Sequence, residues 1–149
     1  MDTTAQEAEI AIDRVFDAPL QLVWEAWSDP KRAQQWCAPH GCTNPVYEQD
    51  MRTGGTLRMH MLVPNGNLYR EEGVYEEVAP LQRFTRYSTV SFGDTTIFET
   101  RLTVTFEALG DKTKLSIRQW FLKLTPEAAK GAQEGWAQTL ERLSAYLAK

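Results

Sequence analysis

The C-terminal stretch Thr125–Lys149 constrains the fold of this chain more than any other. It reads TPEAAKGAQEGWAQTLERLSAYLAK. Thr125 can cap the first free amides, and Pro126 suits the first helical position, where no backbone donor is missed. Ala129, Ala132, Trp136, Leu140, Leu143 and Leu147 then recur at steps of three and four. That spacing predicts one helix, about 35 Å long at ~1.5 Å per residue, with a single apolar stripe. Gly131 and Gly135 stand one turn apart inside it, each roughly 1 kcal/mol less favourable than alanine in a helix. Their presence calls for a close approach, a bend, or space left for another group.

A helix of this length needs a broad apolar partner, and the middle of the chain supplies one. From Thr43 to Phe121 the turn signals Thr53-Gly54-Gly55, Pro64-Asn65-Gly66, Ala79-Pro80, Gly93-Asp94 and Gly110-Asp111 separate extended segments. Leu57, Met59, Met61 and Val63 point one way, with Arg58 and His60 opposite. Phe98, Thr100, Leu102, Val104 and Phe106 share a face, as do Leu115, Ile117, Gln119 and Phe121, leaving Glu99, Arg101, Thr103 and Thr105 on the wet side. Segments 68–78 and 83–92 are mixed, and their faces stay unassigned.

The chain begins with a polar segment, 1–7, read as frayed. Ile10, Ile12, Arg14 and Phe16 alternate, which predicts a strand carrying an arginine on its apolar face. Pro19 opens a helix with Leu20, Val23, Trp24 and Trp27 on one side, and Asp29-Pro30 starts a second short helix ending near Trp36. The order is strand, two helices, six strands, long helix. This is an α+β chain in which a curved antiparallel sheet of about seven strands wraps the terminal helix, organised as one domain over 1–149. A bent sheet does not close on one helix everywhere, so the gap should be lined by bulky Met, Phe and Trp side chains, as small-molecule pockets are.

Composition narrows the function classes. With 16 Lys and Arg against 20 Asp and Glu, a net charge of -4 and no basic cluster, a nucleic-acid partner is not expected. No run approaches the ~18 apolar residues of a membrane span. Two cysteines, Cys37 and Cys42, make no disulfide framework, and a reducing, cytoplasmic setting is the default.

These residues also carry a resemblance. The run AIDRVFDAPLQLVWEAWSDPKRAQQW, followed by DMRTGGTLRMHMLVPNGNLYREEGVYEEVAPLQRFTRY, resembles the START-like (SRPBCC) helix-grip superfamily. More narrowly, it is similar to the bacterial branch named after the C-terminal domain of the heat-shock chaperone ATPase activator. Arg14, Ala18-Pro19, Val23-Trp24, Asp29-Pro30, Trp36, Asp50 with Arg52 and Gly54-Gly55, Asn65-Gly66, Gly73-Val74-Tyr75, Trp136 and Leu140 carry it. The resemblance implies a cavity between sheet and helix that accepts a hydrophobic or amphipathic molecule, such as a lipid, a sterol or a polyketide. It implies no single activity, since the superfamily includes carriers and aromatase/cyclases. Where the family often has Trp-Trp-Gly-Pro at the cavity mouth, this chain has Trp36-Cys37-Ala38-Pro39. The activator itself has a further N-terminal domain that engages the chaperone; with the first strand near Ile10 none is expected here, so a chaperone partner is not favoured.

The candidate cavity set is Trp36, His40, Met59, Met61, Tyr75, Phe98, Thr100, Leu102, Gln119, Phe121, Trp136 and Leu140. Trp36 and Trp136 would offer large area and an indole donor, with plain core filling as the alternative. Trp120 alternates to the side opposite Phe121. Met59 and Met61 are adaptable fillers, equally at home in a core. Arg14 could hold a ligand carboxylate, though pairing with a nearby acid would also satisfy it. Cys37, His40 and Cys42 fall within six residues but lack a fourth ligand, so the segment reads as an ordinary loop and neither metal nor cofactor is expected. Tyr75, Tyr87, Arg86, Glu71 and His40 are candidate acid–base groups, without a recognisable nucleophile, base and orienter. The first functional reading is therefore binding of an apolar or aromatic small molecule. Its alternatives are a cyclase, dehydratase or hydrolase using the same cavity, and a chaperone-associated interaction domain. The pattern also leaves room for a homodimer through a sheet edge or the Trp-containing loop.

Overall fold

The computed structural model describes residues 7–149. The expectation of a frayed start falls mainly on residues 1–6, outside the described residues; Glu7 already belongs to the first strand. In chain order the elements are β1 (Glu7–Phe16), α1 (Leu20–Ser28), α2 (Pro30–Trp36), β2 (Thr43–Gln49), β3 (Thr56–Leu62), β4 (Leu68–Ala79), β5 (Arg83–Phe92), β6 (Thr95–Leu109), β7 (Lys112–Leu122) and α3 (Pro126–Leu147). The seven strands form one antiparallel sheet in the order β1-β7-β6-β5-β4-β3-β2, so β1 and β2 are its edges. This is the α+β helix-grip arrangement that the sequence predicts.

Local chemistry explains the helix ends. Asp29 accepts from the Lys31 amide at 2.9 Å to start α2, and Thr125 accepts from the Ala128 amide at 3.1 Å to start α3. Each is followed by proline at the first helical position. α3 runs for 22 residues, about 33 Å at ~1.5 Å per residue. Ala129, Leu140 and Leu143 of its stripe are buried, Ala132, Trp136 and Leu147 are half-buried, and Thr139 is buried beside them.

Register aligns the inward faces. Ile10, Ile12, Arg14 and Phe16 of β1 lie opposite Gln119, Ile117, Leu115 and Thr113 of β7, and Leu102, Val104 and Phe106 of β6 lie opposite Gln119, Ile117 and Leu115. Arg14 departs from expectation: it is exposed, at the rim of a groove that it shares with Lys130 and Glu134 of α3.

Aromatic packing settles where the space between sheet and helix is filled. Trp27 of α1 meets Trp36 at 4.8 Å between ring centroids, Phe84 at 5.7 Å, Trp136 at 6.0 Å and Phe106 at 6.1 Å. Each tryptophan buried this way takes ~200 Å² from water, worth roughly 4–6 kcal/mol as an upper bound. The α1–α2 pair therefore fills one end of the fold with aromatic side chains, and a gap remains beyond it.

Candidate functional site

That gap is a cavity of about 310 Å³ between α3 and the sheet. Met59 and Met61 of β3, Glu71 of β4, Arg86 of β5, Phe98 of β6 and Gln119 and Phe121 of β7 line one side; Gly131, Ala132, Gly135, Trp136 and Thr139 of α3 line the other. Cys37, Ala38 and Pro39, from the loop after α2, close the end. Arg86, Cys37, Ala38 and Thr139 are buried and mark the inner end, whereas Met61, Phe98 and Gly131 reach solvent and mark the mouth. Larger grooves lie beside β1, but charged side chains rim them, Arg14, Lys130 and Glu134 around one and Glu9, Arg101 and Arg118 around the other.

The two helical glycines create part of this space. A Cβ built on Gly131 would meet nothing within 4 Å, and one on Gly135 would lie 3.5 Å from Pro39 Cγ, an ordinary contact. Neither glycine is required by a close backbone approach. Their missing side chains are volume given to the cavity.

Its inner end is polar. Arg86 is 4% exposed; its Nη1 donates to Tyr75 Oη at 3.4 Å and its Nη2 stands 3.7 Å from Glu71 Oε2. Tyr75 donates to Gln49 Oε1, and Gln49 Nε2 donates to the Trp27 carbonyl at 2.6 Å, which ties this cluster to the aromatic plug. Ser88 Oγ donates to Glu71 Oε2 at 2.6 Å. Burial pushes the Cys37 thiol up to about 11, against the opposing pull of the Arg86 charge. Burial likewise drives Tyr47 well above its ordinary range and raises Tyr75. All three therefore stay protonated at neutral pH, and Cys37 is not a thiolate nucleophile. Burial also disfavours the charge on Arg86, but the Glu71 carboxylate beside it opposes that and the guanidinium stays protonated.

On the opposite wall Trp136 Nε1 donates to Gln119 Oε1 at 2.7 Å, Gln119 Nε2 donates to Thr100 Oγ1 at 2.8 Å, and Thr100 Oγ1 donates to the Trp120 carbonyl at 2.8 Å. That relay is complete and orients the indole edge-on to the sheet.

The loop at the inner end is held by Arg142 of α3. Its Nη1 donates to the carbonyls of Ala38 at 2.8 Å, Cys42 at 3.0 Å and Pro39 at 3.1 Å, and its Nη2 to that of Gln35 at 3.1 Å. His40, on the outside of the same loop, meets Glu141 at 2.9 Å.

Of the candidate set, Met59, Met61, Phe98, Gln119, Phe121 and Trp136 come together on the cavity wall. The other six lie elsewhere. Trp36 is 1% exposed and packs edge-on to Trp27, its Nε1 donating to the Ala26 carbonyl at 3.1 Å. That burial also withholds Trp36 from any contact between copies of the chain. Leu102 and Leu140 are core, and Tyr75 lies beneath the cavity floor with no exposed surface. Thr100 sits behind Gln119, and His40 faces outward. Trp120 lies on the far face, its Nε1 donating to Glu7 at 3.0 Å.

The cavity lining also includes Glu71 and Arg86, which the sequence pattern offered only as acid–base candidates, and Cys37, Ala38, Pro39 and Thr139. Glu71 and Tyr75 share the inward face of β4, but Gly73 stands between them and charged residues fill the strand, so no apolar alternation marks that face. In β5 the alternation Phe84, Arg86, Ser88 about a buried phenylalanine was the available signal.

Known structures share this fold. An uncharacterized protein from Rhizobium leguminosarum is 31% identical, with a TM-score of 0.81 over 97% of this chain and 96% of that one. A protein from Chromobacterium violaceum is 30% identical, with a TM-score of 0.81 over 93% of this chain and 96% of its own. The AHSA1 protein from Silicibacter pomeroyi, 24% identical over 95% of this chain and 98% of its own, has the same fold at a TM-score of 0.81. No curated protein matches the sequence. The family model described as Activator of Hsp90 ATPase homolog 1-like protein matches residues 17–148, a span that takes in every strand but the first and all three helices. With a seven-stranded sheet gripping one long helix and a family match across nearly its whole length, the chain belongs to the Activator of Hsp90 ATPase homolog 1-like family, of START-like helix-grip fold.

Proposed function

We propose that the protein binds a hydrophobic or amphipathic small molecule between α3 and the sheet. One observation carries the reading: a cavity of about 310 Å³, walled by Met, Phe and Trp side chains, lies where the covering helix carries glycine in place of two side chains. At ~30 Å³ per water-sized unit it holds about ten such units, on the order of a dozen non-hydrogen atoms. A one- or two-ring polyketide-like aromatic or a medium-chain lipid suits that volume; a sterol asks for more room. The mobile thioethers of Met59 and Met61 let the wall adapt to ligands of different outline.

Acid–base chemistry of a cyclase, dehydratase or hydrolase in the same cavity draws on fewer features. Burial keeps Cys37 and Tyr75 protonated, and Glu71 is engaged by Ser88 and Arg86.

Native mass spectrometry and a thermal-shift panel of compact aromatics, fatty acids and sterols test the proposal. A ligand at 100 times its Kd stabilises by about 2.7 kcal/mol, which raises the Tm by roughly 5–10 °C. Ala132→Phe, which fills the cavity from α3, should abolish the shift and leave the circular dichroism spectrum unchanged. Absence of stabilisation by every member of the panel would refute it.

A further inference from the structure

The inner end of the cavity holds a buried, incompletely bonded guanidinium while most of its wall is apolar, and we propose that its ligand is a small organic acid: a carboxylate on a compact aromatic or aliphatic body, docked on Arg86. This deepens the small-molecule reading above and rests on it.

Arg86 is a buried charge that the protein alone leaves under-satisfied. A guanidinium offers five N–H donors in a planar fork. Here Nη1 has Tyr75 at 3.4 Å, Nη2 has Glu71 at 3.7 Å, and Nε has no partner, although the side chain is 95% buried (5% exposed). Both distances exceed the ~2.7–2.9 Å of a well-made charge-assisted hydrogen bond. Glu71 does not close the gap, because its nearest oxygen, which accepts from Ser88 at 2.6 Å, stands 3.7 Å from Nη2, beyond hydrogen-bond reach. Tyr75, Tyr47 and Cys37 surround the cation in neutral form, so they solvate it without balancing it.

The missing partner is a planar acceptor with two oxygens, entering from the cavity that Arg86 lines. Other polar groups on the wall do not compete for it, since Trp136 and Gln119 are bonded to each other and to Thr100. A monoanion suits the site better than a dianion such as a phosphate ester, because Glu71 already brings one negative charge to the same oxygen-rich corner. The apolar body then lies between Met59, Phe121 and Trp136, and its length is limited by the volume of about 310 Å³.

Titration calorimetry at pH 7 with 2-naphthoate and octanoate, each against its methyl ester, tests this on the unmodified protein. The acids should bind about 10- to 100-fold more tightly than the esters. Arg86→Met should remove that preference, the acids then binding no more tightly than their esters. Because it leaves Glu71 without its cation, the double variant Arg86→Met/Glu71→Gln is measured beside it and should behave alike. Esters binding as tightly as acids would overturn the docking on Arg86 and leave the cavity's binding role standing. Binding of neither acid nor ester would overturn both.

Discussion

Replacing Gly131 by alanine should make the protein more stable and a poorer binder at once. The helical interior gains about 1 kcal/mol when glycine becomes alanine. Nothing opposes that gain here, since the new Cβ meets no atom within 4 Å and Gly131 has no left-handed backbone angle to protect. For a chain of this length, 1 kcal/mol raises the Tm by roughly 2–4 °C. The methyl group takes about one water volume, ~30 Å³, from the mouth of the cavity. Gly135→Ala should behave in the same way, its Cβ settling at 3.5 Å from Pro39. Gly73→Ala is the control of opposite sign: its Cβ would stand 2.5 Å from Ser88 Cβ and 2.6 Å from the Tyr87 carbonyl oxygen, overpacking that destabilises by about 1–3 kcal/mol. Differential scanning calorimetry of the three variants, with and without a ligand found in the panel, reads both effects. If Gly131→Ala lowers the Tm, or leaves the ligand-induced shift undiminished, then the glycine is not there to make room, and the account of the cavity's origin is wrong.

Arg142→Met should cost about 2–3 kcal/mol, a fall of roughly 5–10 °C in Tm, because three loop carbonyls and that of Gln35 at the end of α2 lose a charged donor; Arg142→Lys should recover less than half, since one ammonium does not span them. Stability should also fall at alkaline pH. The folded pKa of Cys37, about 11, lies above its unfolded value of 9.0, so its contribution is complete below pH 9.0 and is lost as pH rises towards about 11. Urea midpoints across that range should drop by up to about 3 kcal/mol equivalent in the parent and less in Cys37→Ala. At the acid end the sign reverses. Arg83 and Arg101 hold Glu77 and Glu76 below the usual 4.5, so the stability they add is present above pH 4.5 and disappears as pH falls through the lowered values. Glu77→Gln should flatten that acid limb in a pH-resolved thermal melt.

The elements of this fold were legible because each is written locally. Thr125-Pro126 and Asp29-Pro30 announce their helices through their own capping chemistry, and the stripe from Ala129 to Leu147 needs only helical periodicity. The long alternations of β6 and β7 name their inward faces for the same reason. Where the inward face itself carries glycine and charged side chains, as in β4 and β5, hydrophobic alternation gives little signal, and the placement of Glu71 and Arg86 inside is lost to local reading. Trp36 shows a different limit. Periodicity states that such a side chain is buried, not whether it faces a void or another tryptophan.

The sequence by itself therefore determined in what order the strands and helices follow and, along β6, β7 and α3, which residues turn away from water. Tertiary structure decided the rest: that Trp27 and Trp36 fill one end of the grip, that Arg142 ties down a loop about a hundred residues away in sequence, and that a buried guanidinium faces the space left over. The reason is physical. Burial is a property of a face and is encoded at short range, whereas a cavity is the difference between the room that packed elements enclose and the side chains that reach into it, and that difference is set only when distant segments meet.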